Sequence, residues 1–193
     1  MGNGYRWHAA GALGLALALA AGTAPAKDKY EGYLCCNMRS DGSWISDSNY
    51  AENGKRVIPA GTPVKVTGYG RYRVRVEIDG EKQAIGNDYS RDLDDATFAR
   101  RYVVTDDVAA RIAGWPAKVR EAVSKSKVGP GMTREQVIAS LGYPISSENP
   151  DLDSDLWRYW LSSFAEFQLH FDAGGRLKDI TADPTTRNRV WAP

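Results

Sequence analysis

Apolar and polar positions alternate with a period of two in several short segments of this chain and repeat with a helical period in others. In residues 72–78, Tyr72, Val74, Val76 and Ile78 face one way and Arg73, Arg75 and Glu77 the other, the pattern of a strand with one buried face. Asp79-Gly80 follows as a hairpin turn, and residues 81–85 return. Upstream, residues 33–38 predict a strand, Asp41-Gly42 a turn before Trp44 and Ile45, and residues 58–63 a loop. That loop feeds a strand with Val64 and Val66 on one side. Short strands with Gly and Pro turns at this spacing predict a small all-β barrel over residues 27–104. Residues 94–101 predict a short helix within it, and residues 102–104 its closing strand.

The pattern then changes. Residues 109–113 predict a helical turn interrupted by Gly114, and Pro116 suits the first position of the next helix. Trp115, Val119, Ala122 and Val123 form one apolar stripe, with Lys118, Arg120, Glu121, Lys125 and Lys127 on the wet side. A second short helix has both ends written out. Gly129, Pro130 and Gly131 make a tight entry, Thr133 is an N-cap, and Gln136 completes a capping box. Val137, Ile138 and Leu141 give the stripe, Gly142 closes in the left-handed conformation, and Pro144 forbids continuation. The helix is too short to be stable alone and must pack on something.

The next segments supply a sheet. Trp157, Tyr159 and Leu161 alternate with Arg158 and Trp160, and Phe167, Leu169 and Phe171 alternate with Gln168 and His170. Ala173-Gly174-Gly175 turns the chain. In the returning segment Leu177 and Ile180 are out of phase, which predicts a bulge or an early end. Residues 184–193 read as a loose tail, apart from Val190 and Trp191. Residues 105–193 therefore predict two helices packed on a three-stranded antiparallel sheet, and the whole chain is α+β.

The first residues change the picture of where the protein works. Arg6 precedes an Ala/Leu/Gly run from residue 9 to 21, and Ala24-Pro25-Ala26 follows, the form of a secretory signal (1–26) cleaved after Ala26. The run is shorter than the roughly 20 apolar residues of a membrane span, and no second such run follows, so the mature chain is expected to be exported without a transmembrane span. Lys and Arg number 25 against 24 Asp and Glu. This balance argues against a nucleic-acid partner, which calls for a clustered positive field. Six Trp and ten Tyr suit a small β-rich core with amphipathic surface sites.

Two resemblances follow from these residues. Gly61-Thr62-Pro63-Val64-Lys65-Val66 before a twisted hairpin resembles bacterial SH3-like domains. Gly131-Met132-Thr133 with Gln136 and Val137, then Leu141-Gly142 and Pro144, then Trp157 and Tyr159, then Phe171-Asp172 with Gly175 and Leu177, resembles the SmpA/OmlA or BamE family over about residues 115–182. Those are small outer-membrane lipoproteins of the machinery that inserts β-barrels. The resemblance implies two helices on a three-stranded sheet, no catalysis, no cofactor, and partners in the cell envelope, among them that machinery. Lipoprotein members carry a Cys directly after the apolar run, whereas the first Cys here is Cys35, so a periplasmic protein at most peripheral to the outer membrane is expected. The same unit also resembles secreted β-lactamase inhibitory proteins, which leaves an inhibitor or binding module as an alternative.

Candidate chemistry is sparse. Cys35 and Cys36 are adjacent and admit three arrangements: a buried Cys beside an exposed one, a vicinal disulfide, or a link to another chain. A thiol oxidoreductase using the pair is the less favoured enzyme alternative, since redox pairs more typically read Cys-x-x-Cys. His170 falls on the polar face of its strand without metal-site or triad partners. Asp151, Asp153 and Asp155 begin like a calcium loop, but Leu156 stands where Gly is needed and Ser162 where the closing Glu belongs, so no metal is expected. Trp160 and Arg158, with Gln168 and His170 beside them, lie opposite the face that the helices should cover. An exposed Trp beside Arg is the composition of an interaction hot spot, provided that the N-terminal barrel does not cover it.

Overall fold

The computed structural model describes residue 1, residues 27–52 and residues 54–193. The predicted export signal and its cleavage after Ala26 lie outside the described residues.

The N-terminal strands are β1 (Tyr30–Leu34), β2 (Met38–Ser40), β3 (Trp44–Ser46), β4 (Arg56–Ile58), β5 (Pro63–Gly70), β6 (Arg73–Ile78), β7 (Glu81–Gly86) and, after α1 (Asp95–Tyr102), β8 (Val103–Val104). They form one eight-stranded sheet in the order β4-β2-β3-β7-β6-β5-β1-β8. Every pairing is antiparallel except β3 with β7. The hairpin at Asp79-Gly80 forms as predicted, with φ of 53° and 79° at its two central residues, as a primed turn requires. The sheet wraps around a single core of Leu34, Met38, Ile45, Val66, Val76 and Ile85, plugged by Phe98 and Tyr102 of α1. Asp94 caps α1 by accepting from the Ala96 and Thr97 N–H groups. The ladder has two ends, β4 and β8, so hydrogen bonding among the described residues does not close it into the expected barrel.

The single strand expected over residues 33–38 is interrupted. β1 stops at Leu34, β2 starts at Met38, and Cys35 and Cys36 between them are joined in a vicinal disulfide. Successive side chains of a pleated strand point to opposite faces, so a bridge between neighbours is incompatible with continuing the strand.

The second half contains α2 (Val108–Ala113), α3 (Ala117–Ser124), α4 (Arg134–Leu141), β9 (Leu156–Ser162), β10 (Ala165–Phe171), β11 (Leu177–Thr181) and α5 (Pro184–Val190). Strands β9 to β11 form an antiparallel meander in the order β11-β10-β9. Its register shifts between His170 and Phe171, which pair with Asp179 and Leu177; this is the bulge that the phase of Leu177 and Ile180 predicts. At the start of α4 the Thr133 hydroxyl accepts from the Gln136 N–H, while the Gln136 side chain accepts from the Thr133 N–H.

Gly142 closes α4 with φ 86° and ψ 176°. The positive φ agrees with the sequence, but ψ places the residue in the extended mirror region rather than the left-handed helical one. That region is essentially restricted to glycine. A Cβ there would also sit 3.2 Å from Asn49 Nδ2. Gly142→Val is therefore expected to lower stability by about 1–3 kcal/mol, measured as a drop in the urea midpoint; an unchanged midpoint would show that the helix stop tolerates a side chain.

The tail is not loose. Asp183 accepts from the Thr185 and Thr186 N–H groups, Pro184 occupies the first turn of α5, and Arg187 bonds the Ile180 carbonyl and the Asp179 carboxylate. Val190 is buried, and Val128 and Trp191 form a parallel bridge. With Val190 its sole large aliphatic residue, this helix has no apolar stripe; an Asp cap, a Pro start and docking on β11 hold it instead.

Buried polar side chains join the N-terminal half to α3 and α4. Asn37 Nδ2 donates to the Val123 carbonyl at 2.7 Å and lies within hydrogen-bond reach of Ser126 Oγ and the Ser140 carbonyl. Its Oδ1 accepts from the Ala60 N–H at 2.9 Å, and its backbone N–H bonds the Ala139 carbonyl. Asn49 Nδ2 bridges the carbonyls of Asn37 and Leu141, and its Oδ1 accepts from the Arg39 N–H.

Candidate functional site

Strand alternation sorts the side chains of the three-stranded sheet into two sets. Inward, Trp157, Tyr159, Leu161, Phe167, Leu169, Phe171, Leu177 and Ile180 form one buried cluster with Ala122, Val123, Val137 and Leu141, and Trp115 and Val119 pack half-buried against it. Trp157 is fully buried and meets Phe171 edge-on, with ring centroids 4.8 Å apart. Tyr159 stacks on Phe167 and donates to the Gly142 carbonyl at 3.0 Å, and burial pushes its phenol well above the usual range. These contacts place the helix stop directly on the sheet core.

The outward set is the one of functional interest. Arg158, Trp160, Gln168 and His170 share this face, and the N-terminal sheet does not bury it: Arg158 is exposed and the other three are partly exposed. Gln168 is the cross-strand neighbour of Arg158 and of Thr181, and Glu166 that of Trp160. Glu166 Oε1 accepts from Arg158 Nε at 3.1 Å and from Gln168 Nε2 at 2.9 Å. His170 Nε2 lies 2.8 Å from Thr181 Oγ1. Next to it, the Ile180 N–H and Arg187 hold the Asp179 carboxyl below its usual range. Trp160 is half-buried, and its indole N–H donates to Glu148 Oε2 at 2.8 Å. The face is thus held in one orientation by side-chain hydrogen bonds, with an aromatic ring fixed at its margin.

Beside Trp160 lies a small crevice of about 20 Å³ lined in part by Arg39, Ser48 and Asn49. Burial and then the Arg189 charge pull the Arg39 guanidinium below its usual range. Sequence reasoning missed a further residue, Phe164, which sits in the turn between β9 and β10 and is 98% exposed. Its signal was a lone aromatic after Ser162 and Ser163, overlooked because alternation says nothing about turns.

The motif residues of the resemblance do structural work. Gly131 (φ 84°) donates to the Leu177 carbonyl, and the carbonyl of buried Met132 accepts from Leu177, tying the entry of α4 to β11. Thr133 and Gln136 cap that helix, while Gly142 and the buried Pro144 end it. Cys35 and Cys36 are 5% and 0% exposed, so the bridge presents no open surface to a thiol substrate. At the acidic loop, Arg134 bonds the Asp153 and Ser154 carbonyls and approaches Asp155 at 3.5 Å. Among the described residues, no group of three or more His, Cys, Asp or Glu side chains could hold a metal ion.

The family model for the outer membrane protein assembly factor BamE domain matches residues 119–181, from within α3 to the end of β11. The chain is similar to that family over this segment, which is less than half of its length. No curated protein and no solved structure matches the chain significantly.

Proposed function

We propose that this chain is a non-enzymatic protein of the bacterial cell envelope that acts by protein contact, in outer-membrane protein assembly or in envelope integrity. The observation that carries this reading is the outward face of the β9–β11 sheet: Trp160, Arg158, Gln168 and His170 on one surface, opposite a fully packed core. The BamE match over residues 119–181 supports it, because it covers the elements that build this face. We further propose that the chain divides into a β unit over residues 27–104, related to small SH3-like folds, and an α+β unit over residues 105–193, and that the exported protein works in the periplasm, at most peripherally on the outer membrane. No helix of the described residues is long and apolar enough to cross a membrane.

The test is capture with crosslinking from envelope extract. Trp160→Ala should lower stability by about 1 kcal/mol, far less than a buried Trp, yet weaken partner capture by about 2 kcal/mol, roughly thirtyfold, as for an interface anchor. Undiminished capture by a folded Trp160→Ala variant would move the partner surface elsewhere.

A further inference from the structure

β9 is an outer strand of its sheet, and two residues remote in sequence close its free edge. The Asn149 side chain accepts from the Arg158 N–H at 2.7 Å and donates to the Arg158 carbonyl at 3.1 Å, and the Ala51 N–H bonds the Leu161 carbonyl at 2.9 Å. Each brings its preceding residue, Glu148 or Tyr50, to the flank of Trp160. Glu148 Oε2 accepts from the Trp160 indole N–H at 2.8 Å. Ser147 donates to the Tyr89 carbonyl at 3.2 Å, and the Tyr89 ring lies 6.2 Å from that of Tyr50, tilted by 42°. Tyr50, Tyr89, Glu148 and Trp160 thus converge from segments far apart in sequence. The first two come from the N-terminal half and the last two from the half that contains the BamE match.

Glu148 carries the charge of this cluster. It is exposed, and it belongs to none of the ten ion pairs among the described residues. Arg158, on the same face as Trp160, pairs with Glu166 instead. Burial first, then Tyr89 and the Glu148 charge, push the Tyr50 phenol up to about 12, so Tyr50 stays neutral at ordinary pH. Tyr89 is 48% exposed. An open carboxylate flanked by neutral aromatic rings attracts a cation in two ways, through its own charge and through the negative ring faces.

The geometry also selects among cations. The Trp160 indole occupies one oxygen of the Glu148 carboxylate. A guanidinium fork pairs best with two free oxygens, whereas an ammonium is a point charge that needs only one. Among the described residues, Glu148 has no His, Cys, Asp or Glu companions that would complete a metal site. Granted the partner surface above, we propose that Tyr50, Tyr89, Glu148 and Trp160 form a receptor for a lysine side chain of the partner protein. Its ammonium sits on the second Glu148 oxygen, and its methylene stem lies along the rings.

The test is carbodiimide coupling of the exported protein in envelope extract, with the linked peptides mapped by mass spectrometry. Carbodiimide joins a carboxylate directly to an amine in contact with it, as an amide, and leaves as the urea. An amide between Glu148 and a lysine of a second polypeptide is expected. Glu148→Gln should abolish it at an unchanged unfolding midpoint, since the amide oxygen still accepts from Trp160. Capture of the same polypeptide without coupling should weaken about tenfold in Glu148→Gln and about threefold in Tyr89→Ala. Full capture by Glu148→Gln where Trp160→Ala loses it overturns the lysine receptor and leaves the partner surface standing. Undiminished capture by Glu148→Gln, Tyr89→Ala and Trp160→Ala alike removes both. Capture that needs Glu148 but yields no Glu148–lysine amide overturns the receptor in favour of a guanidinium.

Discussion

Trp157→Ala is expected to lower the stability of the protein by about 3–5 kcal/mol, the range for truncating a fully buried aromatic. Trp157 is 0% exposed and lies between the sheet and its covering helices, in contact with Phe171 and near Tyr159. Truncation leaves a cavity that the surrounding strands cannot collapse into, since β10 is paired on both sides. Trp157→Phe should cost clearly less. It keeps most of the ring volume, and the Trp157 indole N–H has no hydrogen-bond partner whose loss would count. Urea unfolding of both variants beside Trp160→Ala decides the matter. Equal losses for Trp157→Ala and Trp160→Ala would mean that the outward face is as much a part of the core as the inward one, which sinks its assignment as a partner surface.

Asn37→Ala is expected to cost about 2–4 kcal/mol, because buried partners left without a hydrogen bond cost about 1–3 kcal/mol each. The Asn37 side chain is 4% exposed as part of its residue and serves α3, α4 and the Ala60 loop together. Asn37→Asp should be worse than its similar shape suggests. It replaces the donor that faces the Val123 and Ser140 carbonyls with a second acceptor, and burying an unpaired carboxylate is expensive. The measurement is the unfolding midpoint together with hydrogen exchange at the Ala60 amide, which should speed up in Asn37→Ala, where its acceptor is gone, more than in Asn37→Asp, which keeps that acceptor. A loss below about half a kcal/mol for Asn37→Ala would show that water replaces the side chain at this junction.

Where the two halves could be read from the chain, the reason was local. The capping box of Thr133 and Gln136, the stop at Gly142, the Asp79-Gly80 turn and the inward and outward sets of β9 and β10 each depend on residues only a few positions apart. The bulge opposite His170 was legible for the same reason, because Leu177 and Ile180 break phase within one strand. The face bearing Arg158 and Trp160 followed from strand geometry alone.

Other features arise only when distant segments meet. The parallel pairing of β3 with β7 and the open ladder ending at β4 and β8 depend on contacts between segments tens of residues apart, which no local period encodes. The same holds for the docking of α5, whose sequence lacks a stripe and whose end bonds Val128 some sixty residues back along the chain. It holds again for Arg91, which meets the Tyr72 ring only because the segment after β7 folds back over it. The sequence by itself therefore determined the short-range hydrogen bonds and the faces of each strand, since those are set by backbone periodicity and capping. Tertiary structure alone decided which strands remote along the chain pair, as β3 does with β7, since that is set by the packing of distant segments.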